Sequence, residues 1–379
     1  MYKLYTEKRN ARLHHQIDIG GIIHNYCIAL HKRYYRLYGK YLSPHRLKAH
    51  IAKLKKLPKY AWWSALGSQA IQDIIERIDK GYQRFFANLK DRKAHQTTQT
   101  IGPPTFRAIR KAKSFTLKQT GWKLLGGNRL RIGSIVYKFA KSREIDGTIK
   151  TVTVKRDALG DLYVFFSCVV GSASPCRAMT GKSAGFDFGL KTYLTGSDGT
   201  EIHAPQVFKQ ELRTIAKANC ALSRTQRGSH HRTRAQRHLA RVHKRVAHVR
   251  QAFHWELAHQ LCAQYDGIVL ETLNLQGMKA LWGRKVSELG FGHFVQILHH
   301  VAAQTGTVVH HIDPWFPSSK LCHVCGTRNA CITLRDRVWT CACGVTHQRD
   351  HNAAINIFRE GASSLGGGHV RLAAACNGC

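Results

Sequence analysis

The spacing of apolar residues divides the chain into a helical first part, a strand-rich middle and a mixed remainder. From about Asn10 to Lys90, apolar side chains recur every three or four residues, which predicts helices. Ser43-Pro44 has the cap and the proline of a typical helix start, and a further helix is predicted after Ser68. The apolar face of this further helix consists of Ala70, Ile71, Ile74, Ile75, Ile78, Tyr82, Phe85 and Phe86.

Strands are predicted in the middle of the chain. Residues 91–112 are polar and contain Gly102-Pro103-Pro104, which indicates a loop. Alternating segments between Ser114 and Val170 then predict antiparallel strands of a small barrel or sheet. Beyond them, strands are predicted in SAGFDFGLKTYLT, GIVLET and TVVHHID, and helices near residues 287–304 and from about Asp350.

The segment 206–265 is predicted to be helical and is strongly basic. One apolar stripe runs along its second half, from Leu239 through Val246 to Leu257. Arginine and lysine occupy the other faces, where like charges four residues apart repel one another. Either this face is solvated or a polyanion lies along it, and the lack of compensating acids favours the polyanion. The candidate nucleic-acid contacts are Arg237, Arg241, Lys244 and Arg245.

Composition points to the same partner. The 379 residues include 59 Lys plus Arg and 22 Asp plus Glu, which gives a net charge of +37. Such an excess repels itself unless a polyanion neutralises it, and nucleic acid does so while releasing counterions. No apolar run is long enough for a membrane span, and no signal-like segment follows Met1. We therefore expect no membrane partner and a cytoplasmic, nucleoid-associated protein.

Three carboxylates stand in unusual positions in a chain so poor in acids. Asp187 lies inside GFDFG, Glu271 ends the apolar run GIVLE, and Asp350 opens a predicted helix. An unpaired buried carboxylate is costly, so each of the three needs a cation or a hydrogen-bond donor nearby. Taken singly, each is equally well explained by a structural ion pair or, for Asp350, by a helix cap.

Five of the 12 cysteines are crowded between residues 322 and 343. Close cysteine pairs in a chain without a signal-like segment indicate metal rather than disulfides. Cys322-x-x-Cys325 and Cys341-x-Cys343 have the form of a zinc ribbon, in which four thiolates bind one Zn²⁺. The second pair is one residue shorter than usual, which leaves the fourth ligand open. The alternatives to Cys343 are Cys331, His323 and His347.

Together these motifs resemble the TnpB family of transposon-encoded, RNA-guided nucleases, which are relatives of type V CRISPR effectors. The resemblance rests on GFDFGLKTYLT, IVLETLNLQGM and CACGVTHQRDHNAAINI, which are similar to the family's three RuvC motifs. It extends to PWFPSSKLCHVCG, to the basic helix and to the helix after Ser68, so it covers nearly the whole chain. Thr272 stands where the family usually has a second carboxylate, and Phe186 where it usually has Ile or Val.

The resemblance implies a multidomain α/β fold. A RuvC-like, RNase H-like nuclease domain is expected to carry a zinc ribbon insertion and to be joined to a β-barrel wedge domain and a helical recognition domain. The expected boundaries are 1–8 and 105–180 for the wedge domain, 9–104 for the recognition domain, 181–318 and 346–379 for the nuclease domain, and 319–345 for the ribbon.

The resemblance also implies a site and partners. Asp187, Glu271 and Asp350 match the family's catalytic carboxylates, which would hold two Mg²⁺ ions. Beside them, Arg349 is either a clamp for the scissile phosphate or an ordinary surface arginine. The expected particle is a monomeric ribonucleoprotein, in which a transposon-derived guide RNA selects double-stranded DNA beside a short adjacent motif. The alternatives are a nuclease-dead RNA-guided repressor and a guide-free RuvC-like nuclease or resolvase.

Overall fold

Two compact units make up the chain in the computed structural model, Met1–Ser172 and Ala173–Cys379. The structure describes residues 1–171, 178–333 and 336–364. Along these ranges, none of the helices combines the length and the apolar character that crossing a membrane requires. Cys376 and Cys379, which the sequence suggests are free, lie outside the described residues.

The helices of the first unit begin where the sequence predicts. They are α1 (Asn10–Tyr38), α2 (Pro44–Leu54) and α3 (Ser68–Lys93), with a 3₁₀ helix at Pro58–Leu66 before α3. Ser43 caps α2, because its hydroxyl accepts the backbone N–H of Arg46 at 3.4 Å. Isoleucines of α1 and α3 share one continuous core with Trp63. Of the apolar face predicted for α3, the first part is buried in this core, whereas Phe86 near its end is exposed.

The strands of the first unit form two antiparallel sheets. They are β1 (Tyr2–Lys3), β2 (Ser114–Leu117), β3 (Trp122–Leu124), β4 (Arg129–Ile132), β5 (Ile135–Lys138), β6 (Thr148–Arg156) and β7 (Leu162–Val169). One sheet has the order β1-β7-β6-β2 and the other has the order β3-β4-β5. Among residues 1–171 these sheets do not close into the expected barrel. The strands of the second sheet are only three or four residues long, and this sheet meets the first at an isolated antiparallel bridge between Leu4 and Phe139 and not along a continuous ladder.

The second unit is built on a mixed five-stranded sheet. Its elements are β8 (Ser183–Phe188), β9 (Leu194–Gly196), β10 (Glu201–Ile202), α4 (Val207–Ser223), α5 (His230–Gln264), β11 (Gly267–Leu270), α6 (Leu275–Leu289), α7 (Phe291–Thr305), β12 (Val308–His311), β13 (Val338–Thr340), β14 (Thr346–Gln348) and α8 (Arg349–Ser364). The sheet order is β10-β9-β8-β11-β12, in which β8, β11 and β12 are parallel. A separate hairpin joins β13 to β14.

Glycine and capping residues set helix boundaries in the second unit. The helical stretch predicted over 206–265 is two helices, because the chain breaks after α4 and Ser229 caps α5 through the N–H of Arg232 at 3.1 Å. The helix predicted near 287–304 begins at Phe291. Gly290 has a left-handed φ of 64°, a conformation that glycine adopts readily, and so ends α6 directly before α7.

Candidate functional site

Two of the three carboxylates lie side by side in neighbouring parallel strands. β8 and β11 pair with Phe186 opposite Leu270, so the next residues, Asp187 and Glu271, meet at the same edge of the sheet. A carboxylate oxygen of Glu271 accepts the backbone N–H of Phe188 at 3.2 Å. The parallel register therefore brings together two acids that are far apart in the sequence.

Asp350 reaches the same sheet because α8 packs directly on β8. A β-carbon at Gly185 would lie 2.5 Å from the backbone nitrogen of Phe358 and 2.7 Å from the carbonyl oxygen of Ala354. A glycine two residues before Asp187 thus lets the helix backbone contact the strand. Asp350 lies in the first turn of α8, where the helix dipole favours a negative charge.

The charges of the three carboxylates act on one another. Burial raises the pKa of Asp187 well above its usual value, and the charges of Glu271 and Asp350 raise it further. Burial also raises the pKa of Glu271 to about 7, against the effect of the Phe188 hydrogen bond. Crowded, partly desolvated carboxylates are stabilised by a cation, and their oxygens suit hard Mg²⁺. The residues present therefore fit a divalent metal site.

Two arginines hold Asp350. Arg337 Nη1 donates to one carboxylate oxygen at 2.8 Å, and Arg349 donates to the other from Nη2 at 3.0 Å and from Nε at 3.2 Å. The backbone N–H of Arg349 donates to the carbonyl oxygen of Arg337 at 2.8 Å, which keeps the two arginines together. The guanidinium of Arg349 thus faces Asp350, and its role as a phosphate clamp stays a prediction.

The four cysteines of the predicted ribbon converge. Within the described residues, the sulfur atoms of Cys322, Cys325, Cys341 and Cys343 all lie within 4.8 Å of one another, a convergence that the three carboxylates do not reach. Hydrogen bonds from Thr327 lower the pKa of Cys325 to about 6, whereas, against a backbone hydrogen bond from Cys343, desolvation and hydrogen bonds with the neighbouring thiols raise the pKa of Cys341 to about 12. Crowded thiols of this kind are stabilised as thiolates by a bound cation such as zinc. Four thiolates at this spacing fit one tetrahedral zinc ion.

The shorter second pair is accommodated by an earlier turn. Each cysteine pair lies in a tight turn, called a knuckle. In the first knuckle, which holds Cys322 and Cys325, the N–H of Gly326 donates to the carbonyl oxygen of Cys322 at 2.9 Å. In the second knuckle, which holds Cys341 and Cys343, the N–H of Gly344 donates to the carbonyl oxygen of Cys341, also at 2.9 Å. Both glycines have positive φ, at 74° and 86°. The second turn therefore closes one residue sooner than the first and still places Cys343 Sγ 3.8 Å from Cys322 Sγ.

The alternative ligands lie around the cluster without replacing Cys343. Cys331 is exposed and stands outside the converging group. His347 Nε2 lies 3.0 Å from Cys322 Sγ, so this histidine is a hydrogen-bonding partner of a cysteine ligand. His323 bonds instead to Asn352, through its backbone N–H at 3.0 Å and its ring Nδ1 at 2.9 Å.

Two buried asparagines of α8 attach the ribbon to the helix that carries Asp350. Asn352 Nδ2 donates to the carbonyl oxygen of Leu321 at 2.7 Å, and Asn356 Nδ2 donates to the same oxygen at 2.6 Å and to that of Ser318 at 2.8 Å. Both asparagines are almost fully buried, at 1% and 3% exposed. The position of Asp350 is thereby tied to the fold of the first knuckle.

The basic helix presents most of its predicted contacts to solvent. Arg237, Arg241 and Arg245 are exposed, and Lys244 is half-buried. Arg245 Nη1 lies 3.3 Å from a carboxylate oxygen of Glu211 in α4, so this arginine has an acidic partner that the sequence pattern does not indicate. The apolar stripe of α5 packs against α4, where Val242 and Val246 are buried beside Ile215.

Sequence reasoning missed several residues of the site. Nothing in the pattern indicates that Arg337 binds Asp350, because the pairing depends on the hairpin that brings β13 beside the start of α8. Gly185 is visible in the GFDFG motif but has no stated role until α8 packs on it. The asparagines in HNAAINI lie four residues apart, the spacing of one helix face, and that is the signal which predicts a shared contact.

Two protein-family models match different parts of this constellation. Residues 166–281, which include Asp187 and Glu271, match the family described as "Probable transposase". Residues 291–357, which include the four cysteines and Asp350, match the family described as "Cas12f1-like, TNB domain". Two neighbouring segments of the chain are thus similar to these two families.

Individual proteins with similar sequences carry names of the same kind. The chain is 28% identical to a "Putative RNA-guided DNA endonuclease" of Streptomyces pristinaespiralis over 97% of its own length and 90% of the relative. It is 27% identical to a "TnpB-like protein" of Acanthamoeba polyphaga mimivirus over 59% and 46% of the two lengths. These matches confirm the resemblance to the TnpB family.

A solved structure shares the fold. The cryo-EM structure of the Cas12f1–sgRNA–target DNA complex matches with a TM-score of 0.57 and 12% sequence identity, covering 93% of this chain and 83% of the other. This likeness shows a common mixed α/β architecture along nearly the whole chain.

Proposed function

We propose that this protein is an RNA-guided DNA endonuclease of TnpB type, which cuts target DNA at one RuvC-like site formed by Asp187, Glu271 and Asp350. The observation that carries the proposal is the placement of Asp187 and Glu271 side by side at one sheet edge, together with the electrostatic repulsion that Glu271 and Asp350, at the start of α8, exert on Asp187. The names of the relatives and the shared fold with a guide–target complex support the same function.

The carboxylates would hold two Mg²⁺ ions. When bound, Mg²⁺ supplies Lewis-acid activation of water and stabilisation of the leaving oxygen. Asp187 and Glu271 would provide oxygen ligands from the sheet edge, and Asp350 would provide one from the start of α8. Because Arg337 and Arg349 already neutralise Asp350, the phosphate of an entering strand would compete with Asp350 for the two guanidinium groups.

The ribbon would have a structural role. Four cysteine thiolates would saturate one Zn²⁺ and leave no open position for substrate. Through Asn352 and Asn356, the metal-bound first knuckle would fix α8 and with it Asp350. The zinc ribbon would thereby contribute to catalysis without touching the reacting atoms.

Sequence recognition would come from a guide RNA encoded by the transposon. The net charge of +37 and the exposed arginines of α5 match a long RNA phosphate backbone, while base pairing reads the target. A short adjacent motif in the duplex would be read by the first unit. We expect the working particle to contain one copy of the chain.

Guide exchange tests this function. The protein is expressed either with the guide RNA encoded by its own transposon or with the same RNA carrying a new guide segment. Two target plasmids are prepared, one matching each guide, and each complex is tested on both plasmids. We expect cleavage to follow the guide in each pairing and to require Mg²⁺. Equal cutting of both plasmids by either complex, or by RNA-free protein, supports a guide-free nuclease. Guide-dependent binding without cleavage supports an RNA-guided repressor.

A further inference from the structure

We propose that a pocket in the first unit binds an unpaired nucleobase, with the flanking phosphates on the lysines at its rim. The pocket lies between the C-terminal halves of α1 and α3 and the loop that leads into α2, and its volume is about 500 Å³. The proposal deepens the proposed function and rests on it, since it takes single-stranded nucleic acid as the ligand. Five of the lining residues are aromatic, namely Tyr35, Tyr41, Tyr82, Phe85 and Phe86.

The inner rings of the pocket are held in fixed orientations. The ring of Tyr41 lies 5.6 Å from that of Tyr82 and 5.6 Å from that of Phe86, both edge to face. The hydroxyl of Tyr41 donates to a carboxylate oxygen of Asp79 at 2.5 Å, which keeps the ring in place. Rings that are already ordered lose little entropy when a flat ligand stacks on them.

The outer rings stand in solvent. Tyr35 is 66% exposed and Phe86 is 40% exposed, and both border the pocket. Stacking on a base would cover these ring faces, and such stacking tolerates any base because every base has a π-face. An aromatic pocket of this kind therefore fits an unstacked nucleotide.

The charge at the rim distinguishes nucleic acid from an apolar partner. Lys32 and Lys40 line the pocket, and the ammonium group of Lys32 lies 4.7 Å from the ring centroid of Phe106. Basic and aromatic residues alternate in HKRYYRLYGKY, residues 31–41, and the sequence has no acid between Asp18 and Asp73. An apolar helix would use the rings and leave the lysines unmatched, whereas a nucleotide uses both.

The floor of the pocket offers polar recognition. His31 is buried there, with its ring 4.8 Å from that of Tyr82. Burial lowers the pKa of His31, so the imidazole is neutral and has one donor and one acceptor nitrogen. These nitrogens would contact the edge of a stacked base.

Fluorescence of 2-aminopurine tests the pocket. Full-length protein is titrated with a short single-stranded oligonucleotide that carries one 2-aminopurine, and both quenching and affinity are measured at several salt concentrations. We expect quenching with wild type. Removal of two stacking rings in Tyr35→Ala/Phe86→Ala should abolish quenching and weaken binding about tenfold or more. Lys40→Ala should retain quenching and flatten the salt dependence.

The matched control is Tyr38→Ala. Tyr38 is 62% exposed at the same end of α1, but its ring packs 4.7 Å from that of Tyr34 and does not line the pocket. We expect this variant to bind as wild type does. Equal effects of the pocket and control variants overturn the proposal. So does light scattering that shows a wild-type dimer dissociated by Tyr35→Ala/Phe86→Ala, since the occupant would then be a second copy.

The pocket and the proposed function fail in different ways. If guided cleavage is not observed but quenching still depends on the pocket, only the endonuclease assignment is contradicted. Guided cleavage by a wild type that shows no pocket-dependent quenching contradicts only the pocket.

Discussion

The side-chain oxygen of Asn352 accepts the backbone N–H of His323 at 3.0 Å, and this bond joins the zinc knuckle to the helix of Asp350. His323 lies between two cysteines of the cluster, and Asn352 lies two residues after Asp350. Both partners belong to the segment where the ribbon packs on the start of α8. A change in the knuckle is therefore transmitted to the carboxylate over a very short path.

Replacing Asn352 should weaken Mg²⁺ binding at the carboxylates without changing zinc binding at the cysteines. Asn352→Ala leaves the N–H of His323 without its acceptor, which costs about 1–3 kcal/mol, while the carbonyl of Leu321 keeps its hydrogen bond from Asn356. We expect a lower melting temperature and a higher Mg²⁺ concentration for half-maximal cleavage, with zinc content unchanged. The control is Asn329→Ala in the same ribbon, where the side chain accepts the N–H of Cys331. Wild-type Mg²⁺ dependence in Asn352→Ala contradicts the coupling.

The geometry of the cysteine cluster predicts which thiols bind zinc. Cys343→Ser removes one of four converging sulfurs, whereas Cys331→Ser changes an exposed cysteine outside the group. We expect Cys343→Ser to lose zinc and thermal stability, and Cys331→Ser to keep one zinc per chain. Elemental analysis and thermal unfolding measure both. The reverse result would assign the fourth position to Cys331.

The ion pair between Arg245 and Glu211 predicts that the arginines of α5 differ in how strongly they bind phosphate. Removing one side chain that binds a phosphate lowers the slope of log affinity against log salt by about one. Arg237→Ala and Arg241→Ala should therefore flatten the salt dependence of RNA binding, while Arg245→Ala should do so less. Glu211→Gln should release Arg245 and strengthen binding. Unchanged slopes for Arg237→Ala and Arg241→Ala would show a solvated face.

Buried His254 should make the second unit sensitive to acid. Burial lowers the pKa of His254 to about 4, and the side chain contacts Tyr193, Leu289 and His293. The unfolded chain binds a proton below about pH 6.5, but the folded chain does not until about pH 4, so stability falls as pH falls through this window. The decrease is about 3 kcal/mol. His254→Phe should flatten the pH dependence of unfolding, and an unchanged profile would contradict this.

Local patterns predicted the parts of the fold that local forces determine. The cap at Ser43, the start of α3 at Ser68 and the stripe on α5 follow from spacing and turn chemistry within a few residues. The cysteine knuckles are equally local, because both ligand pairs are close in sequence. Gly290, in contrast, ends α6 inside a stretch where apolar residues continue at helical spacing. Spacing alone therefore predicts that the next helix begins near residue 287, a few residues before its observed start at Phe291.

Long-range relationships did not follow from pattern. The strand register that puts Asp187 beside Glu271 depends on which strands pair, and only the family resemblance supplied an expectation for it. The bonds from Arg337 to Asp350 and from Arg245 to Glu211 depend on packing between elements. Sheet closure is likewise a property of the whole unit, and the expected barrel was wrong for the described strands.

Guided cleavage by Asp187→Asn is the most direct test of the carboxylate site. The substitution keeps the shape of the side chain in β8 and removes the charge that Glu271 and Asp350 oppose. With guide RNA, Mg²⁺ and a matching plasmid, we expect wild type to cut. Asp187→Asn should bind the same target with equal affinity and cut it at least about a thousandfold more slowly. Cleavage by Asp187→Asn at the wild-type rate would show that DNA is cut elsewhere or by another set of residues.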